Sequence, residues 1–138
     1  MSLEQATHDH WANDAALTTL VPAARFVTGY VQGELSSPHA TLARESTVPK
    51  VRTSNRTIDD VLLRFDVWSD DLDEAKQIAA LVTARFDRQS FAADGCSDDD
   101  CTVIRMRKTN QVEQQDTQSS AWQITLTFLA VAARAIGA

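Results

Sequence analysis

The stretch from Ile58 to Arg88 constrains the fold most, because its hydrophobic period changes within a few residues. At positions 61–68 aliphatic and aromatic residues alternate with mostly charged or amphipathic ones, which is the pattern of a half-buried strand. After Ser69-Asp70-Asp71 the apolar residues recur every three or four positions as far as Phe86, as on one face of an amphipathic helix. The stretch therefore predicts a strand over 58–69 that leads directly into a helix.

The start of this helix has its own signal. Asp71 is followed three residues later by Glu74, which is the spacing of a capping box, where each side chain accepts a hydrogen bond from a free backbone amide. A pair of carboxylates in this acidic stretch is also a candidate for acid–base catalysis. We favour capping, because the dipole of a helix stabilises anions at its N-terminus and no catalytic group is needed to explain them.

Composition narrows the class of protein. With 138 residues and 43% hydrophobic content, the chain fits one domain, residues 1–138, that needs neither disulfide nor metal to form a core. Its 19 acidic and 13 basic side chains give a net charge of −6, which argues against direct nucleic-acid recognition. No stretch has the roughly 20 apolar residues of a membrane span, and residues 1–10 lack a leader pattern, so we expect a protein made and kept in the cytosol.

The other periodicities complete an α+β pattern. They predict a helix over 3–20 ended by Pro22, a β-rich stretch over 25–31 and strands over 39–48, 102–108 and 121–132. The segments between them are a polar tip over 49–57, an acidic loop over 89–101 and a second polar tip over 109–120, which we expect to be mobile in the isolated protein. Two hairpins follow from this order. We expect a mostly antiparallel sheet of about five strands with two helices packed on one face.

Two cysteines flank a short acidic segment. Cys96 and Cys101 are separated by Ser97-Asp98-Asp99-Asp100, and the pair is compatible with free thiols in a loop, with a disulfide or with a metal site. Zinc would need two further ligands nearby, and the aspartates lack the spacing of a calcium-binding EF-hand loop. We favour free thiols and predict no metal site.

Motifs of catalysis are absent from the sequence. It contains no Gly-x-Ser-x-Gly, His-Glu-x-x-His or Cys-x-x-Cys motif, and only four glycines, too few for a typical phosphate-binding loop. His8 and His10 lie two residues apart, which places them on different faces of a helix and disfavours a shared metal. We therefore predict no catalytic residue, no cofactor and no enzymatic activity.

A tryptophan on the other side of the strongest strand indicates a different kind of site. Trp68 alternates out of phase with the apolar positions and shares its side with Leu62 and Arg64. It either packs under the second helix or a loop, or belongs to a subunit interface, where Trp and Arg are enriched. We assign the predicted interface to Leu62, Arg64, Trp68, Arg105 and Arg107. Leu129 and Val131, on the polar side of the last strand, also make this face unusually apolar.

The same residues carry a family resemblance. The segment Val61-Leu62-Leu63-Arg64-Phe65-Asp66-Val67-Trp68-Ser69, followed by Ala75, Ile78, Ala79 and Val82, resembles the core of the tail-completion proteins of long-tailed bacteriophages and prophages, also called tail terminators or head–tail joining proteins. Residues 3–21, 38–45 and 122–131 are similar to the first helix, the next strand and the closing strand of that family. The position after Pro38, commonly aromatic in the family, is His39 here.

The resemblance implies a structural role. It implies a non-enzymatic subunit that assembles with itself into a ring, often a hexamer, which closes the head-proximal end of the tail tube and joins it to the head connector. Its partners would be the tail-tube and head-connector proteins, its location the host cytoplasm during assembly and then the tail or neck of the virion. The alternative is a small cytosolic α+β domain, ligand-binding or enzymatic, with a pocket between sheet and helices.

Overall fold

The computed structural model describes residues 2–29, 37–93, 102–118 and 120–135. Its elements in chain order are helices α1 (Leu3–Ala12) and α2 (Ala15–Leu20), a 3₁₀ turn (Ala23–Arg25), strands β1 (Phe26–Thr28), β2 (His39–Arg52) and β3 (Arg56–Ser69), helix α3 (Leu72–Phe86), and strands β4 (Phe91–Ala92), β5 (Thr102–Gln115) and β6 (Trp122–Ala135). Cys96 and Cys101 lie outside the described residues.

The strands form one sheet in the order β1-β2-β3-β6-β5-β4. Strands β2, β3, β6 and β5 are long and antiparallel, whereas β1 runs parallel to β2. The predicted hairpins are therefore confirmed, and the α+β class with them. The strand count of about five was too low, because the two edge strands are only three and two residues long and give almost no periodic signal.

The core lies between this sheet and the helices. Val61, Leu63, Phe65 and Val67 of β3 are at most 1% exposed, and they pack in one cluster with the buried face of α3. Trp11 of α1 is also fully buried; its ring stacks on Phe26 with centroids 4.0 Å apart, and its indole N–H donates to the carbonyl of Val21 at 3.1 Å. The helices thus cover one face of the sheet.

The capping box is confirmed only in part. Asp71 is the N-cap residue of α3, and its side chain accepts a hydrogen bond from the amide of Asp73 at 3.0 Å. Glu74 does not reach the Asp71 amide, because the Ser69 hydroxyl oxygen accepts from that amide at 3.1 Å and the hydroxyl donates to Glu74 at 2.7 Å. Ser69 therefore links the end of β3 to the first turn of α3.

The predicted helix over 3–20 is two helices. Asn13 ends α1, and Asp14 starts α2 by accepting a hydrogen bond from the amide of Leu17 at 3.0 Å. Asn and Asp favour such breaks, because their side chains compete with the helical backbone for hydrogen bonds. The described residues consequently form three α-helices, and the predicted two was too few.

The polar tips were also predicted too long. Strand β2 continues to Arg52 and β3 starts at Arg56, so the turn between them is short. Strand β5 continues to Gln115 and pairs with β6 along its whole length, so most of residues 109–120 is strand rather than a mobile tip. Backbone hydrogen bonds do not depend on apolar side chains, which explains how this Asn- and Gln-rich segment joins the sheet.

Candidate assembly surface

The sheet has a second face that the described helices do not cover, here called the bare face. In β3 it carries the even-numbered residues, and the antiparallel register fixes which residues of the other strands lie beside them. Leu62 is opposite Leu129, and Asp60 is opposite Val131. Leu62, Leu129 and Val131 are all partly exposed, so apolar side chains reach solvent in the middle of the sheet.

The register brings all five predicted interface residues to this bare face. Arg107 pairs with Leu129, so it lies two strands away from Leu62 in the same cross-strand row, and Arg105 pairs with Val131 in the adjacent row. Both arginines are exposed. Arg64 lies in the row on the other side of Leu62, and Trp68 lies near the end of β3. The surface is thus contiguous over three of its rows, with Trp68 at one end.

Sequence reasoning missed two exposed valines that extend this surface. Val48 is 51% exposed and pairs with Asp60, while Val51 is 54% exposed and pairs with Ile58. Both lie on the bare face, because register shifts between Arg44 and Ser46 and between Pro49 and Val51 change the alternation along β2. Period-two patterning cannot follow a strand through such bulges, although Pro49, between Val48 and Val51, is a usable signal of one.

A buried carboxylate organises the polar part of the bare face. Asp66 is only 6% exposed and accepts three side-chain hydrogen bonds: from Arg64 Nε at 2.9 Å, from Gln123 Nε2 at 3.0 Å and from Thr125 Oγ1 at 2.6 Å. A buried carboxylate needs such donors to replace water. Another guanidinium nitrogen of Arg64 donates to Glu45 at 2.7 Å. Arg64 is therefore held in place before any partner binds.

Trp68 is not a core residue. It is partly buried on the bare face, where its ring is stacked against that of His39 with centroids 6.1 Å apart and planes 14° apart. It therefore does not pack under the second helix, which lies on the other face; packing under a loop and the subunit interface stay the two alternatives. Burial lowers the pKa of His39, and its Nδ1 atom has no hydrogen-bond partner among the described residues. The imidazole is therefore best suited to its neutral, stacking form.

An open cleft of about 800 Å³ lies beside this pair. Its lining includes His39, Arg64, Asp66, Trp68 and Gln123, all on the bare face. The cleft is therefore on the side of the sheet away from the helices, whereas the alternative hypothesis of a ligand-binding domain predicts a pocket between sheet and helices. Its charged groups already bind one another, which leaves little unpaired polarity to orient a small ligand.

The described residues were also candidates for a metal site, a histidine site or a membrane-spanning helix. No group of three or more His, Cys, Asp or Glu in residues 2–29, 37–93, 102–118 and 120–135 is placed to hold a metal ion. His8 packs on the ring of Phe26 and His10 on the ring of Phe91, and burial lowers the pKa of both. No described helix combines the length and apolar character needed to cross a membrane.

Comparison with known protein families shows to which family this chain is related. The model of the family described as "Tail completion protein gp17" matches residues 5–133, which include most of α1, all of α2 and α3 and nearly all of the sheet. The chain belongs to this family. The resemblance recognised in the β3–α3 segment is thereby confirmed, and the family assignment makes the protein a bacteriophage structural protein. A search of curated proteins gave no match.

Solved structures support the fold. A chain from the virion of a native gene transfer agent (GTA) particle superposes with a TM-score of 0.74 at 16% identity, covering 96% of this chain and 95% of that one. At this identity the likeness shows a common fold. The common fold thus spans nearly the whole chain, including the two long hairpins that frame the bare face.

Proposed function

We propose that this tail completion protein assembles into a ring, most simply a hexamer, that closes the head-proximal end of the tail tube and joins it to the head connector. The observation that carries the proposal is the bare face. It combines partly exposed leucine and valine side chains with the fixed guanidinium of Arg64 and the exposed guanidinium groups of Arg105 and Arg107. Apolar side chains with arginines at their margin are the usual composition of a protein interface.

The folded chain already holds this surface in an ordered conformation, so little conformational entropy is lost when a partner binds. Most of residues 109–120 is already strand, so docking through β5 does not require a disordered tip to fold first. The hydrogen bonds to Asp66 hold Arg64 in the same way. Such preorganisation increases affinity, because less conformational entropy is lost on binding.

The proposed site contains no reaction centre. Its residues are Leu62, Arg64, Trp68, Arg105 and Arg107, and we propose contact with other subunits of the neck and tail as their role. No catalytic, cofactor or metal-binding role is proposed for them. We place the protein in the host cytoplasm during assembly and in the tail or neck of the finished virion.

A genetic experiment tests the proposal. Deletion of this gene in its parent phage or prophage is expected to yield filled heads and separate tails, visible by electron microscopy, because the two halves cannot be joined. The wild-type gene should restore joined particles, and a gene with Leu62→Asp and Arg107→Glu should not. Lys76→Glu, at an exposed position of α3 on the other side of the sheet, is the matched control and should complement. Joined particles from the deletion strain would contradict the proposal.

A further inference from the structure

The described strands leave the two edges of the sheet uncovered at opposite ends. Strand β1 pairs only with residues 40–42 of β2, and no described strand pairs with the outer edge of β2 beyond Leu42. Strand β4 pairs with residues 102 and 103 of β5, and the backbone of Arg88 and Gln89 bonds to Met106. The Asp87 carboxylate accepts from the Lys108 amide. The outer edge of β5 is thus uncovered by described strands only over 109–115.

Long uncovered edges are templates for pairing with another chain. Neighbouring strands in the order β2-β3-β6-β5 run antiparallel, so β2 and β5 point in opposite directions. A second copy placed beside the first in the same orientation therefore brings its β5 antiparallel to β2. From this geometry we infer that residues 109–114 of one copy add to residues 43–49 of the next, and that this joint, repeated head to tail, closes the proposed ring.

The parts of the edges that β1 and β4 cover determine the offset between neighbouring copies along the strand direction. Through the register of the four strands, Ala43 is level with Asn110, and Val48 is level with Arg105. Copies placed at equal height would set 109–115 mainly beside the part of β2 that β1 already occupies. Pairing 109–114 with the β2 residues that no described strand covers requires a slide of four cross-strand rows, or about 13 Å at roughly 3.3 Å per residue.

The size of this slide matches a closed barrel. Each copy contributes four long strands, which span about 19 Å at roughly 4.8 Å per strand. A slide of about 13 Å across about 19 Å corresponds to strands tilted by about 35°, which is the lower end of the range of about 35–45° for closed barrels. The stagger imposed by β1 and β4 is therefore the stagger that a closed ring of continuous sheet needs.

Side chains support the same register. The four-row slide sets Ser46 opposite Val112 and Val48 opposite Asn110, with all four side chains on the bare face. Val48 and Val112 are 51% and 48% exposed, and they become diagonal neighbours across the joint, where each shields the other from water. Pairing ends at Pro49, which lacks an amide hydrogen for a further bond. The rest of the bare face stays open for the other proteins of the tail.

This inference rests on the proposed ring, and disulfide trapping separates the two. In a background with Cys96→Ser and Cys101→Ser, the double variant Ser46→Cys and Val112→Cys is oxidised at a concentration at which light scattering shows assembly. We expect a ladder of covalent multimers on a denaturing gel, with a largest species equal to the mass found by scattering. Each single variant alone should stay monomeric on the gel, and an equimolar mixture of the two should give dimers only.

A second pair of cysteines is the control for this joint. Ser46→Cys combined with Lys76→Cys, an exposed position on α3, should give no ladder above the level of the single variants. A ring in solution without the Ser46–Val112 ladder would overturn the edge joint and leave the proposed function standing. Dimers from Val112→Cys alone would also overturn it, because they indicate a two-fold joint. Absence of any assembly, with or without tail-tube protein, would overturn both.

Discussion

Replacement of Trp68 by alanine should weaken assembly and leave the fold nearly unchanged. Trp68 lies on the bare face, partly exposed, with the His39 ring as its stacked neighbour. We expect its loss to cost the monomer about 1 kcal/mol of unfolding free energy, as for most substitutions outside a core. If it anchors an interface, its loss costs roughly 2 kcal/mol or more per contact, which is about a 30-fold weaker association.

Trp11 provides the matched control. It is fully buried, stacked on Phe26 and hydrogen-bonded through its indole N–H, so Trp11→Ala should cost about 3–5 kcal/mol of stability. For a domain of this size, with about 3–5 °C per kcal/mol, the melting temperature should fall by roughly 10–20 °C in Trp11→Ala and by about 5 °C or less in Trp68→Ala.

Two assays separate the effects. Thermal unfolding followed by circular dichroism gives stability, and light scattering after size-exclusion chromatography, with tail-tube protein added, gives association over a range of concentrations. If Trp68→Ala melts as early as Trp11→Ala, Trp68 stabilises the fold and the reasoning from its exposure is refuted. If it melts like the wild type and also associates like the wild type, Trp68 lies outside the interface.

Three further predictions concern stability. Asp66→Asn should lower the unfolding free energy by about 1–3 kcal/mol in urea titrations, because an amide cannot accept from all three donors, whereas the exposed Asp70→Asn should change it by less than about 0.5 kcal/mol. Burial lowers the pKa of each histidine, so folding favours the neutral ring. The stability that this gives is present above the ordinary imidazole pKa of 6.5 and is lost as the pH falls through the folded-state pKa values. His39→Gln should make the loss of stability between about pH 7.5 and 5.5 smaller, and an unchanged loss would contradict this assignment. Cys96 and Cys101 should both react with a thiol reagent in the native protein, and their joint replacement by serine should leave the melting temperature nearly unchanged; a loss of more than about 1 kcal/mol would instead indicate a disulfide or a metal.

Local pattern predicted the central part of the fold well. The β3–α3 segment, its change of period and Asp71 as the cap follow from residues close together in sequence, because burial on one face and capping of one helix are local requirements. The closing strand β6 was predicted for the same reason. These elements also carry Leu62, Arg64 and Trp68, so part of the candidate surface was predictable.

The rest depended on long-range pairing. The polar half of β5 is strand because β6 lies beside it, and its own residues, from Thr109 to Gln115, give no apolar alternation. Val48 and Val51 reach the bare face through bulges that only the register reveals. Asp66 looks like an exposed position of an alternating strand, yet it is buried because Gln123 and Thr125 arrive from β6.

The most direct test of the ring is the mass of the purified protein alone and with tail-tube protein. Light scattering after size-exclusion chromatography should show one higher oligomer of fixed size, at high concentration or when tail-tube protein is added, and negative-stain images of that fraction should show closed rings. A strictly monomeric protein up to millimolar concentration, with tail-tube protein present and a metabolite bound in the cleft beside Trp68, would contradict the account.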